Sequence, residues 1–232
     1  MSPAVLYLHG LASSPLSHKA LFFQERLADR GIRMVLPDLN EGDFHGLTTS
    51  RAVALATRLG RDLTPPLLLF GSSFGGRVAV HAAAALADRV AGLVLMAPAL
   101  RFASVWRNTQ SPESLARWRE TGALPVEHPA YDGPVTLGYA FYEDALATDA
   151  WPPLPPTLPV LILHGRRDDV VPLADSERFT AHHPGARLVP LDSDHGLTDQ
   201  TDRLWAEVQP FLARLTAPAR GGAPSAAHGP VV

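Results

Sequence analysis

Cysteine is absent from the 232 residues, which excludes disulfides, a thiolate nucleophile and any zinc site built on sulfur. Long apolar runs are absent too. Gly, Pro or a charge breaks each one within about ten positions, short of the roughly 20 that a membrane helix needs, so no membrane span is expected. Charge of one sign is not in excess: the formal net charge is -3, too small for a field that would gather nucleic acid or a polycation, and small neutral or weakly charged substrates fit better. The opening MSPAVLYLHG has neither a basic n-region nor a long apolar h-region, so it does not read as a secretory signal and a cytoplasmic location is expected. Internal repeats are missing as well.

What is present is the composition of a folded protein, with 19% charged and 46% hydrophobic residues in a chain long enough for one well-packed domain. Short apolar runs at 4–9, 32–37, 66–71, 90–97, 159–164 and 187–191 alternate with segments of helical period, the pattern of buried parallel strands joined by helices. The first helix is expected to carry Leu16, Ala20, Phe23 and Leu27 on its buried stripe, with Ser14 as N-cap, Pro15 at the first position and Gly31 as terminator. Others are expected over 48–63, from Phe74, after Pro172 and over about 199–215, the last kinked by Pro210. The fold class is therefore α/β, three-layered, with a mostly parallel six-stranded sheet.

The alternation fails over residues 101–158, where Trp106, Trp118, Tyr131, Tyr139 and Trp151 stand among charges and prolines. This stretch is read as a small helical cap inserted into a single domain spanning 1–215. Its tryptophans either wall a substrate pocket or only pack the cap. Residues 216–232, rich in Ala, Gly and Pro without periodicity, are read as a flexible tail.

The chemistry centres on LLLFGSSFGG from Leu67, an apolar strand that breaks sharply into a helix. Gly71, Ser73 and Gly75 fit GxSxG, in which the serine stands on a strained turn where flanking side chains would collide. The helix beginning after Ser73 turns free amides toward developing negative charge. A phosphate-loop reading of the same glycines fails, because Arg77 and Val78 occupy its Lys and Ser/Thr positions.

A serine hydroxyl needs a base, and the base an acid to hold it. His195, in DSDHGL after the last strand, is the candidate base. Asp168 stands close behind the strand PVLILHG as the acid, with Asp169 the adjacent alternative. In an open parallel sheet ligands bind where neighbouring strands lead in opposite directions, and the first strand ends in the loop His9–Gly10–Leu11. The oxyanion donors are assigned to the backbone amides of Leu11 and Phe74, and His9 to shaping that loop. His182 and His183 have no carboxylate pattern around them and read as surface at a helix end. Asp192 and Asp194 read as solvated loop residues. Neither a metal nor a cofactor is expected.

Taken in order, YLHGLASSP, GSSFGG, HGRRDDVVP and DHGL resemble the α/β-hydrolase superfamily over the chain to about residue 215. The likeness of His164–Pro172 to its acid loop favours Asp168 over Asp169. The short start, with no hairpin before the first strand, is similar to the trimmed six-stranded core of small bacterial esterases. SPESLARWRETGALPVE and YAFYEDALATDAW resemble the cap of the ABHD10-like thioesterases and acyl-glucuronide esterases. The resemblance implies a serine carboxylesterase or acyl thioesterase acting on small to medium acyl groups through an acyl-enzyme on Ser73. Cofactor-free perhydrolysis, carbon–carbon bond hydrolysis with the same triad, and a non-catalytic binding protein are the alternatives.

Overall fold

The structure, a computed structural model, describes residues 3–102, 105–106, 110–129, 131 and 133–216. The expected strands form at β1 (Ala4–Leu8), β2 (Arg33–Val35), β3 (Leu67–Ser72), β4 (Val90–Met96), β7 (Val160–Gly165) and β8 (Ala186–Leu191). They make one six-stranded sheet in the order β2-β1-β3-β4-β7-β8, with every neighbouring pair parallel. The chain runs from β1 outward to β2, then returns to β3 on the other side of β1, so the loops after β1 and β3 diverge from adjacent strand ends.

Strand side chains alternate between two cores. Leu6, Leu8, Leu67 and Leu69 face the cluster covered by α2 (Thr49–Asp62) and α3 (Phe74–Leu86). Val5, Tyr7, Leu68 and Phe70 face the cluster under α1 (His18–Ala28) and the C-terminal helix α7 (Thr201–Thr216). This period of two, with apolar residues on both faces, is why these runs read as buried strands. The helix after Pro172, α6 (Leu173–His182), packs on β8 and completes the three layers.

One helix expectation needs correction. The helix α1 starts at His18 with Ser17 as N-cap, not at Pro15. Ser14 instead accepts from the amides of Ser17 and Leu16 in a preceding turn, and Leu16 is 74% exposed, outside the buried stripe of Ala20, Phe23 and Leu27. The helix α7 runs from Thr201 to Thr216 with Pro210 inside it, on the exposed face.

The excursion between β4 and β7 is not purely helical. It carries α4 (Pro112–Thr121), an antiparallel two-stranded ribbon of β5 (Ala123–Val126) and β6 (Val135–Gly138), and α5 (Ala140–Ala147). The ribbon's alternation is only four residues long, which explains why it gave no strand signal. Trp118 is buried and donates its indole N–H to the Leu137 carbonyl at 2.9 Å. The buried guanidinium of Arg77, on α3, holds the excursion to the sheet layer through the carbonyls of Leu100 (2.9 Å), Ala145 (3.3 Å) and Thr148. The proposed tail, 216–232, lies outside the described residues beyond Thr216.

Candidate active site

Four loops at the carboxyl ends of β1, β3, β7 and β8 meet at one point. Ser73 follows β3 with φ 52° and ψ -115°, a left-handed conformation that costs a non-glycine residue on the order of 1–3 kcal/mol. The strain is held by four backbone bonds: the Ser73 amide donates to Met96 (2.9 Å), and its carbonyl accepts from Gly76 (2.9 Å), Ala99 (3.1 Å) and Arg77 (3.4 Å). The flanking glycines are required by space. A Cβ on Gly75 would run into the Leu8 carbonyl, and one on Gly71 into the Gly75 carbonyl. Gly165 plays the same part at the end of β7, where a Cβ would strike the Ser193 and Asp194 carbonyls that lead into His195.

Ser73 Oγ lies 3.0 Å from His195 Nε2, and His195 Nδ1 lies 2.8 Å from Asp168 Oδ2. A carboxylate accepts only, so Nδ1 carries the ring proton and Nε2 presents its lone pair to the serine hydroxyl. The Asp168 side chain is wholly buried while that of His195 is 24% exposed, so the ring reaches the surface of the cleft. Burial alone would raise Asp168, but hydrogen bonds from His164, His195 and the Val171 amide outweigh it and hold the carboxyl well below the usual range. Its Oδ1 accepts from the amides of Val170 (2.9 Å) and Val171 (2.7 Å). Asp169, the alternative, is exposed and is not brought into this network.

Phe74 is the first residue of α3, so its N–H belongs to the helix's unpaired first turn, and Leu11 lines the same cavity as Ser73. His9 behaves as a loop residue: Nε2 accepts from the Leu39 amide at 2.9 Å and Nδ1 donates to the Gly10 carbonyl at 2.9 Å. Burial pushes its pKa down, consistent with a neutral ring.

A cavity of about 260 Å³ adjoins Ser73 and His195, walled by Leu11, Val171 and, from the excursion, Phe102, Val105 and Trp106. The tryptophans divide their roles. Trp106 lines the cavity, Trp118 stacks behind it at 5.5 Å between ring centroids, and Trp151 packs on Phe179.

Three contributors escaped the sequence reading. His164 is wholly buried with Nε2 at 3.1 Å from Asp168 Oδ2, a spacing of i,i+4 already visible in HGRRD. Asp194 is exposed as expected, yet it also closes the turn that carries His195 by accepting from the Gly196 (2.8 Å) and Leu197 (3.3 Å) amides; Asp two residues before Gly is the signal for such a turn. Lys19 donates to the Gly196 carbonyl at 2.7 Å, which no local pattern announces. One expectation was wrong: His183 is buried and bonds the Leu158 carbonyl at 2.8 Å, so only His182 is a surface residue. Among the described residues no group of three or more potential metal ligands occurs, and no helix is long and apolar enough to cross a membrane.

Known proteins share this arrangement of strands and helices. The chain is 27% identical over 221 residues to the human mitochondrial palmitoyl-protein thioesterase ABHD10, covering 89% of this chain and 68% of that one. The mouse α/β hydrolase domain-containing protein 10 superposes with a TM-score of 0.78 at 21% identity, over 93% and 92% of the two chains. Est1E from Butyrivibrio proteoclasticus, in a structure with ferulic acid bound, gives 0.75 at 21% identity over 92% and 89%. The fold is thus that of the α/β-hydrolases, as the ordered motifs implied. Since the model of the Uncharacterised protein family (UPF0227) matches residues 4–212, from the first strand to the last helix, the chain belongs to that family.

Proposed function

We propose that the chain is a serine hydrolase that cleaves carboxylic esters or thioesters through an acyl-enzyme on Ser73. The observation that carries this reading is the relay from Ser73 Oγ to His195 Nε2 at 3.0 Å and from His195 Nδ1 to buried Asp168 at 2.8 Å. Similarity to ABHD10 and to esterases supports an ester-acting hydrolase. His195 takes the Ser73 proton as Oγ bonds to the substrate carbonyl carbon. The Leu11 and Phe74 amides stabilise the oxyanion, and His195 then passes the proton to the departing alcohol or thiol as the acyl–O or acyl–S bond breaks. Water, deprotonated by His195, attacks the acyl-enzyme, releases the acid and returns the proton to Ser73. No cofactor takes part.

The excursion of 101–158 acts as a cap by walling the acyl cavity. At about 260 Å³ that cavity lies just below the ~300–1,000 Å³ of sites for drug-sized ligands, which favours small to medium acyl groups. The palmitoyl chain in the human relative's name exceeds what it would enclose. Turnover of p-nitrophenyl esters and acyl thioesters from two to sixteen carbons, by wild type and Ser73→Ala, tests the reading. It requires activity peaking at short to medium length and a fall on the order of a millionfold in the variant; comparable turnover by both would refute it.

A further inference from the structure

Ser73 and His195 border two cavities whose walls carry different side chains. Beside the larger one lies a second, of about 160 Å³, lined by Ser13, Ser17, Lys19, Ser72 and the Gly10–Leu11 and Gly196 backbone. Lys19 is the only lysine of the sequence; 19 of its 20 Lys and Arg residues are arginine. It stands in the first turn of α1, where the helix dipole disfavours a cation. It is half-buried and, among the described residues, has no carboxylate within ion-pair distance; its one hydrogen bond, to the Gly196 carbonyl, uses one of three ammonium donors. A cation kept there against burial and dipole, beside the nucleophile, is arranged for an external anion.

We propose that this second cavity, with Lys19 and the serines in its wall, is the leaving-group subsite and that Lys19 selects alcohols or thiols carrying an anionic group a few bonds from the scissile linkage. The inference rests on the serine-hydrolase reading. The cavity walled by Phe102, Val105 and Trp106 suits the acyl chain, which leaves the one holding Lys19 for the other half of the substrate, within reach of the proton that His195 returns. Ser13 and Ser17 also border a larger groove of about 610 Å³ formed with Leu16, His18, His128 and Pro129, so a leaving group extending past Lys19 has a path outward.

Charge around the ammonium sets the pH range. Burial pushes the Lys19 pKa down to about 8, against the pull of Asp168 and Asp194, while His195 lines the same cavity and His18 the adjoining groove. Selectivity for anions is therefore full at pH 7 and declines as pH rises past about 8, where the ammonium loses its proton.

The test compares butyrate esters of 4-hydroxybenzoate and 4-hydroxybenzamide, alike in shape but not in charge, each normalised to spontaneous hydrolysis. Wild type should favour the carboxylate ester by about tenfold in kcat/KM at pH 7, as one charge-assisted hydrogen bond allows, with the ratio near 1 in Lys19→Gln and regained in Lys19→Arg. A ratio unchanged in Lys19→Gln, or both esters slowed alike, would mean that Lys19 only pins Gly196 and would overturn the proposal. If wild type turns over neither ester, the ester and thioester panel decides the hydrolase reading, and reductive methylation of the sole lysine decides the subsite. Protection of Lys19 by 4-hydroxybenzoate and not by 4-hydroxybenzamide supports it; equal protection, or none, overturns it.

Discussion

His164 offers a perturbation whose consequences can be worked through from the structure. Its ring is fully buried, with Nε2 between two acceptors, Asp168 Oδ2 at 3.1 Å and the Val171 carbonyl at 3.0 Å, and Nδ1 at 2.7 Å from Ser176 Oγ. Nε2 therefore carries the proton and Nδ1 accepts from the Ser176 hydroxyl. Replacing His164 with Leu strands a buried hydroxyl and removes one donor from a buried carboxylate, at about 1–3 kcal/mol for each group. The sum, roughly 2–6 kcal/mol, corresponds to a melting-temperature loss of about 5–20 °C in a domain of this size. Gln can place an amide near the lost Nε2 and Asn near the lost Nδ1, so His164→Gln should keep the Asp168 bond and His164→Asn the Ser176 bond.

The pH dependence follows from the same contact. Asp168 is held below its unfolded value of about 3.9, so its contribution is complete above that pH and is lost as pH falls toward the folded value. His164→Leu lessens that depression, and its stability deficit should be larger at pH 7 than at pH 3. Chemical denaturation of wild type and the three variants at both pH values is the assay. A deficit for His164→Leu under 0.5 kcal/mol at pH 7, or one that grows toward pH 3, would refute the reasoning.

Two further substitutions probe other parts of the account. Asp168→Asn should lower kcat by roughly 10⁴, as loss of the orienting acid does in such relays, while Asp169→Asn should stay within about twofold of wild type; ester kinetics on both variants decides between the neighbours. Arg77→Met leaves the carbonyls of Leu100, Ala145 and Thr148 without their buried donor and should destabilise by about 3–5 kcal/mol, measured by urea denaturation, with a shift in acyl-length preference as the cap loosens.

Much of this was legible in the sequence because the relevant signals are local. The six central strands are continuous apolar runs, and Gly71-Ser72-Ser73-Phe74-Gly75 states its own steric requirement, which the Leu8 and Gly75 carbonyls explain. Asp168 and His195 both follow strand ends, which made them candidates, and the likeness of His164–Pro172 to the acid loop of the α/β-hydrolases favoured Asp168 over Asp169. What escaped was non-local or weakly periodic. The contact of Lys19 with Gly196 spans 177 residues. The β5–β6 ribbon pairs strands of four residues each, too short for an alternation to show, and its tie to Trp118 is a bond from the indole to the Leu137 carbonyl. The start of α1 was placed too early because Ser14 and Pro15 make a turn with the same residue types that begin a helix.

Labelling of the native protein with a fluorophosphonate, followed by peptide mapping, tests the assignment of the nucleophile most directly. The account predicts one adduct per chain, on Ser73, prevented by Ser73→Ala and strongly slowed by His195→Gln. An adduct on another residue, or undiminished labelling of Ser73→Ala, would contradict it.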